Sequence, residues 1–492
     1  MQILKRFKNR FLAETWAMPI DIFRILAGLL SLYYYITLVF EVEDFSNPDG
    51  LLNHQLFLDN FWVLRINLLQ PSFASTELFY YLTGLGCLAS IAITIGYRPR
   101  LLAGVLFVLT ASIQRWNFGV MFVDDAIMHL LLFWLMLLPT GSTLTLFTWI
   151  KKGNSSFSDW LEAKVPGAPV RCFLANVFWI YFFAGVTKLM SPFWREGFAL
   201  YPLLLLPISR MPDFWQPEYI PALKIATYAS IVMEITIPFL LFTPKRSVTK
   251  FLGLFFLLLF NLGIIITLKI PFANIALIAS SVLFFREEIM EAIFKRRKIK
   301  PITLSTRKFS LASILALIFA ISVIVSTSRC VPIINNVSWR VTEALWVIGV
   351  AQNYYLFNWI DRLNYHVDTE VTFYPAVKPK AGSKALVKPI KIDSGEILPY
   401  TIRNTLLLMR YFDIRWMFSF YHDQLEIYKE DLNKRIAKKI CGRIDGNGRF
   451  YIKRTMYHVT PENYDLREIY RIYKILISCS NKEVVFIKES IK

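Results

Sequence analysis

Charge is scarce in this chain. Only 18% of its 492 residues are Asp, Glu, Lys or Arg, where a soluble domain carries about 25%. Acid is scarcer than base: 36 Asp and Glu stand against 55 Lys and Arg, a formal net charge of +19. Five cysteines are scattered with no Cys-x-x-Cys, and there are five histidines and no His-rich motif, which argues against a structural zinc site or any other metal centre. No glycine-rich phosphate loop, dinucleotide fingerprint or nucleophile-elbow serine occurs. Helix breaks paired between two halves, a mark of many transporters, are missing, as are internal repeats and low-complexity tracts. The positive charge invites a nucleic-acid reading. No helix-turn-helix, zinc-finger or aromatic RNA-binding signature supports it, so nucleic acid is not expected as a partner.

What is abundant is apolar: 55% of residues are hydrophobic, 16% aromatic, and mean hydropathy is +0.44. Nine apolar segments follow one another, at 19–42, 77–97, 101–120, 125–149, 169–190, 221–243, 247–268, 271–286 and 308–327. A bilayer core of about 30 Å needs ~20 helical residues. Most segments meet that; 271–286 is short. The stretch 1–18 is basic (Lys5, Arg6, Lys8, Arg10), but no small-residue cleavage site follows, so the first segment reads as a span.

Nine crossings with the amino terminus inside give a charge test. The inner loops and their edges hold 20 Lys and Arg, and the outer loops before residue 328 hold five (Arg65, Arg115, Arg195, Arg210, Lys269). That asymmetry is the positive-inside signature. The expected fold is an all-α polytopic membrane bundle of about nine transmembrane helices with an extramembrane α+β domain. Its parts are a cytoplasmic stretch 1–18, a membrane domain 19–327 and an extracytoplasmic domain 328–492. Within the last, Val367–Tyr374, Ala385–Ile392 and Val484–Lys488 read as strands and Asp423–Ile440 as an amphipathic helix. Cys330, Cys441 and Cys479 fall on the outer side, where Cys441–Cys479 is a candidate disulfide.

Lys188 is the first candidate for chemistry. It ends an apolar aromatic segment, with Ala184, Gly185 and Tyr181 on its own helical face and Trp194 just beyond. An ammonium at membrane depth is costly and tends to be functional; burial would favour a proton-accepting amine. The competing reading is a lysine that snorkels to the interface beside Trp194. Arg24 has Asp21 one turn before it, which fits structural pairing. A second cluster comprises Arg115, Asn117, Asp124, Asp125 and His129. Asp125 and His129 share a helical face, an arrangement that can orient and tune an imidazole. Arg115, the two aspartates and Lys188 could line one outward-facing pocket, or the polar groups could simply tie helix ends together. The loop from Trp194 to Met211 is too broken to span; it could lie in the interface or dip back into the protein. His54, in the first outer loop, carries no assignment.

Several ordered pieces resemble one family. They are Phe23-Arg24-Ile25 followed by Gly28; Gly96-Tyr97-Arg98-Pro99-Arg100; Arg115 and Asn117 with Asp124-Asp125, ending in Leu138-Pro139-Thr140-Gly141; the Lys188 segment with Trp194 and Gly197; and Gln352-Asn353-Tyr354-Tyr355-Leu356-Phe357. Over about residues 15–360 the chain resembles the horizontally transferred transmembrane (HTTM) domain family, which is related to the vitamin K-dependent gamma-glutamyl carboxylases. In those enzymes a lysine deprotonates a reduced naphthoquinone, and reaction with oxygen yields an epoxide and a strong base. That base removes a proton from a glutamate side chain, and carbon dioxide adds. The resemblance implies Lys188 as that lysine and a reduced naphthoquinone of the vitamin K or menaquinol type as cofactor. It implies membrane lipid and a secreted peptide or protein client as partners, and a bacterial inner membrane as location. The alternative is a non-catalytic membrane partner in peptide or protein maturation or export. A third reading is transport of a lipid-like molecule.

Overall fold

Each of the nine apolar segments carries a helix. The structure is a computed structural model and describes residues 9–60, 67–118, 121, 123–146, 150, 161–205, 209–211, 214–294, 310–327, 335–352, 365–375, 390–392, 435, 441, 448–458, 469–478 and 483–491. The helices are α1 (Ala17–Glu41), α2 (Thr76–Ile95), α3 (Pro99–Trp116), α4 (Val123–Leu137), α5 (Ala168–Lys188), α6 (Ile220–Leu241), α7 (Val248–Thr267), α8 (Pro271–Phe284) and α9 (Leu311–Thr327). Among the described residues five helices are long and apolar enough to cross a membrane: α1 with its π-helical continuation to Ser46, α2, α5, α6 with its lead-in from Pro217, and α7. The protein is a multi-pass membrane protein built as a helical bundle.

The fourth segment departs from expectation. Its helix stops at Leu137 rather than running to 149. Pro139 disfavours helix in the residue before it, and Gly141 turns the chain at φ +83, a conformation open to glycine at little cost. The following loop is tied to α1. The Asp21 carboxylate accepts from the backbone amides of Gly141, Ser142 and Thr143 at 2.6, 3.0 and 2.7 Å and from the Thr143 hydroxyl at 2.8 Å. It also pairs with Arg24 at 3.0 Å. Arg24 in turn donates to the carbonyls of Ile93, Thr94 and Leu144. Both side chains are fully buried, so Arg24 does not snorkel; it closes the carbonyl end of α2.

These contacts order the bundle. The short strands β1 (Glu14–Trp16) and β2 (Lys164–Pro166) pair antiparallel, so α1 and α5 start on one side. The ends of α2 and α4 meet Asp21 and Arg24 on that same side. There too, Lys245 and Arg246, between α6 and α7, and Lys250, in the first turn of α7, pair with Glu291 and Glu288 beyond the end of α8. At the opposite side, the end of α1 meets the end of α3 through Trp116 Nε1 to the Ser46 carbonyl at 2.8 Å. The start of α4 meets the start of α8 through Asp124, which accepts from the Ala273 amide at 2.8 Å. The eight helices therefore alternate in direction.

Beyond α9 comes α10 (Asn335–Val347), a helix the hydropathy pattern does not announce. It packs on α9, where Ser338 Oγ donates to the Ser326 carbonyl at 3.0 Å. The chain then turns at Gly349 (φ +79) and enters the bundle. Val350 is buried, and Gln352 makes a reciprocal amide pair with Asn176 of α5 at 2.7 and 3.2 Å.

The last part holds a five-stranded antiparallel sheet in the order β4-β3-β5-β6-β7: β3 (Tyr365–Pro375), β4 (Ile390–Ile392), β5 (Gly448–His458), β6 (Ile469–Ser478) and β7 (Glu483–Ile491). The expected strands at 367–374 and 484–488 coincide with β3 and β7, and 385–392 is seen as β4, its first residues lying outside the described set. β5 and β6 were not expected. The expected helix 423–440 lies outside the described residues except for Arg435, which donates to the Pro48 and Gly50 carbonyls at 3.1 and 3.0 Å. Cys441 is disulfide-bonded; Cys330 and Cys479 are outside the described residues.

Candidate functional site

Lys188 ends α5, yet it does not lie at an interface. Its Nζ is 2.5 Å from both carboxylate oxygens of Glu234 on α6, and both side chains are 6% exposed. Glu234 lies 14 residues into α6, so about 21 Å along that helix from Ile220 at 1.5 Å per residue. The pair is thus deep in the bundle. The loop beyond Lys188 folds over it: Phe193, Trp194, Ala199, Tyr201 and Leu203–Leu205 are buried in one cluster with Leu223, Ile231, Leu268 and Ile270. The Lys188 ammonium also sits over the Trp194 ring at 4.7 Å and near the Phe260 ring at 5.8 Å, a cation–π arrangement that strengthens on desolvation. Of the two readings open to Lys188, snorkelling does not describe it.

Gly185 explains how the two helices come this close. A Cβ built there would meet Ile235 Cγ1 at 2.7 Å and Glu234 Cβ at 3.2 Å. With no side chain at 185, α6 presses onto α5 one turn before Lys188, and the Glu234 carboxylate reaches the ammonium.

Beside the pair is a cavity of about 150 Å³. An engineered apolar cavity of that size holds benzene. Its walls are mainly apolar, from α4 (Val123, Ile127), α7 (Phe260, Ile264) and α8 (Ala273, Leu277), and its polar groups are Tyr181, Glu234, Asn261, Asn274 and Gln352. Glu234 lines the cavity and Lys188 stands behind it. Asn261 Nδ2 donates to the Tyr181 hydroxyl at 2.6 Å and to the Leu257 carbonyl at 2.7 Å. Asn261 is fully buried, and its Oδ1 has no hydrogen-bond partner among the described residues. An unmatched buried acceptor is expensive and suits a ligand that brings a hydroxyl or amine donor. Asn274 Nδ2 is bonded to the Ile270 carbonyl at 2.6 Å. Val350, Ala351 and Gln352 close one wall, so the inserted turn that precedes the β3–β7 sheet is part of the cavity.

The remaining sequence candidates fall elsewhere. Tyr181 and Trp194 join Lys188. Arg115 donates to the Val347 carbonyl at the end of α10. Asn117 caps α3 and donates to Ser46 Oγ at 2.9 Å. Asp124 caps α8, as above. Asp125 accepts from the Tyr34 hydroxyl at 2.5 Å, and Gln114 Nε2 bonds both Tyr34 Oη (3.2 Å) and the Asp125 carbonyl (2.7 Å). His129 lies between two carbonyls, Gly349 O at 2.7 Å from Nδ1 and Phe107 O at 3.0 Å from Nε2, and its ring stacks on Phe107 at 4.2 Å. None of these five lines the cavity; they tie helix ends together and hold the 347–349 turn. His54 is equally structural: it stacks on Trp116 at 4.2 Å and meets the Trp116 carbonyl at 2.8 Å, and burial pulls its imidazole down to about 4.

The residues that sequence reasoning missed are Glu234 and Asn261. The signal was present. Glu234 is the one acid in the segment 221–243, and an intramembrane carboxylate is a functional candidate by default. No group of three or more His, Cys, Asp or Glu able to hold a metal occurs among the described residues. No protein-family model, curated protein or solved structure matches the chain.

Proposed function

We propose that the chain is a membrane enzyme that binds a flat, lipid-soluble, hydroxyl-bearing ligand in the α4–α8 cavity and takes a proton from it with the Glu234–Lys188 pair. The observation that carries this reading is the ion pair itself, buried at depth, with Glu234 lining a mainly apolar cavity that is also lined by Asn261, whose Oδ1 has no hydrogen-bond partner among the described residues. The lining has the chemistry for a reduced naphthoquinone, with apolar walls for a ring and Asn261 for a hydroxyl hydrogen, in a cavity whose volume takes one ring of the two. Such a quinol, when bound, supplies reducing equivalents for reaction with oxygen. The protein's part is to hold the ring away from water, fix one hydroxyl on Asn261 and present Glu234 to the acidic hydrogen. Lys188 orients the carboxylate, both of whose oxygens lie 2.5 Å from its Nζ. The client would be a secreted peptide or protein carrying the residue to be modified, as the resemblance to the gamma-glutamyl carboxylases implies.

The topology that goes with this is nine crossings, the amino terminus cytoplasmic and residues 328–492 extracytoplasmic in a bacterial inner membrane. The alternating helix directions and the lysine- and arginine-rich side support it, and the disulfide at Cys441 suits an oxidising compartment.

The test is to incubate membranes holding wild-type, Lys188→Ala or Glu234→Gln protein with reduced naphthoquinone and oxygen, and to look for the epoxide by mass spectrometry. Epoxide from wild type alone supports the reading; none from any, with folded protein confirmed, overturns it. A second reading, a non-catalytic maturation partner, has its own observation. Among the described residues strand β7 ends the sheet order, and an edge strand can hold an extended client by strand addition. That reading requires a polypeptide that co-purifies equally with wild type and Lys188→Ala.

A further inference from the structure

A second cavity lies apart from the candidate site, on the side of the bundle that faces lipid. It is a groove of about 620 Å³ between α2 and α3, floored by Met136 of α4. Its lining is aliphatic, with Leu82 and Leu85 on one wall and Leu101, Val105 and Val108 on the other. Leu85, Leu101, Val105 and Val108 are 49%, 59%, 43% and 48% exposed. Gly104 makes the room: a Cβ there meets only Met136 Sδ at 3.4 Å and Cγ at 3.8 Å.

One end of the groove is charged. Arg100, an exposed residue, lines it, and its Nε donates to the Met136 carbonyl at 3.1 Å. Arg98, exposed and held at φ +40 as the N-cap of α3, is two residues before it, with its guanidinium over the Tyr97 ring at 5.9 Å. The start of α3 adds its own partial positive charge. From Leu101 to Ser112 the groove runs about 17 Å at 1.5 Å per residue, close to half of the ~30 Å bilayer core. An aliphatic channel one leaflet long with two guanidinium groups at the headgroup end matches one kind of molecule. We propose that this groove binds an acyl chain of an anionic phospholipid, with the phosphate held by Arg98 and Arg100.

Native mass spectrometry of the purified full chain tests this, by titration with phosphatidylglycerol and with phosphatidylcholine of the same acyl chains. The expected result is a single adduct that forms at least fivefold more tightly with phosphatidylglycerol. Replacing both Arg98 and Arg100 by Gln removes that preference. Gly104→Leu, which fills the groove and keeps both charges, weakens both lipids by at least fivefold. A leucine is also a better helix former than glycine, so this variant tests the groove even if the arginine variant does not insert. Equal binding of the two lipids by wild type, or adducts that neither variant changes, would overturn the proposal and mark the groove as ordinary lipid-facing surface.

Discussion

Removing Lys188 should do two separable things. The Glu234 carboxylate, 6% exposed, would be left without its ammonium in a medium that solvates it poorly. Breaking a buried pair from one side costs about 3–5 kcal/mol, because the remaining charge is uncompensated. Lys188→Met keeps the length and apolar bulk of the stem and removes only the charge, so that figure applies with little added cavity cost. Replacing both partners, Lys188→Met with Glu234→Leu, removes the orphan charge as well, and such double replacements are often neutral or stabilising. The assay is the thermal midpoint of detergent-purified protein, followed by size-exclusion fluorescence, for wild type, both single variants and the double variant. Unfolding of such a protein is read as a ranking rather than an equilibrium constant. The expected order is wild type and double variant together, with Lys188→Met clearly below. Turnover of reduced quinone should be lost in all three variants. That dissociation, stability restored while activity is not, separates a chemical role from a structural one. If Lys188→Met is as stable as wild type, the pair is not desolvated and the depth argument fails. If the double variant stays active, the pair is a strut and not the proton acceptor.

Three further outcomes follow from particular contacts. Gly185→Val places a side chain where Ile235 and Glu234 already sit; it should move α6 off α5 and reduce quinol turnover at least tenfold, measured beside Gly185→Ala as the milder step. Asp21→Asn weakens the charged acceptor of five donors that joins α1 to the loop after α4; losing charge-assisted bonds at roughly 1.5–3 kcal/mol each should leave little folded protein in membranes, whereas Arg115→Gln should leave near-normal amounts. His54 is neutral when folded, near 4 against an ordinary 6.5, so the unfolded chain binds more protons between those values. Its contribution is full above about pH 6.5, falls as pH drops towards 4, and reaches roughly 3 kcal/mol; His54→Phe should flatten the thermal midpoint over that window.

The helical part of the fold was legible because bilayer physics writes it in plain terms. A long apolar run must be helical to satisfy its own backbone, and the side with lysine and arginine follows from the loops. The structural pairing of Arg24 with Asp21 was legible too, since one helical turn separates them. Two classes of feature were not. Strands β5 and β6 carry aromatic and β-branched residues at high density, as in Ile469-Tyr470-Arg471-Ile472-Tyr473, but interleaved lysines and arginines hide the alternation. The inserted turn 348–352 is invisible because its reason is tertiary. It is held by carbonyls that His129 and Arg115 reach from other helices and by Asn176, 12 residues below Lys188 on α5.

The site itself was half legible, and the missing half follows from one mistaken equation. The competing reading of Lys188 equates the end of an apolar segment with the end of the membrane, with an interfacial tryptophan beside it. The end of a helix marks the membrane surface only if the chain that follows is polar. Here it continues as Phe193, Trp194, Phe198 and Leu200–Leu205, two short helical turns with enough apolar side chain to stay buried. It covers Lys188 and leaves α6 to run several turns further out. Once that loop is counted as interior, an ammonium at Lys188 needs a counter-charge from a neighbouring span. The segment 221–243 offers one acid. The pairing of Lys188 with Glu234 could therefore have been deduced before any coordinates, from the composition of a loop and a count of carboxylates.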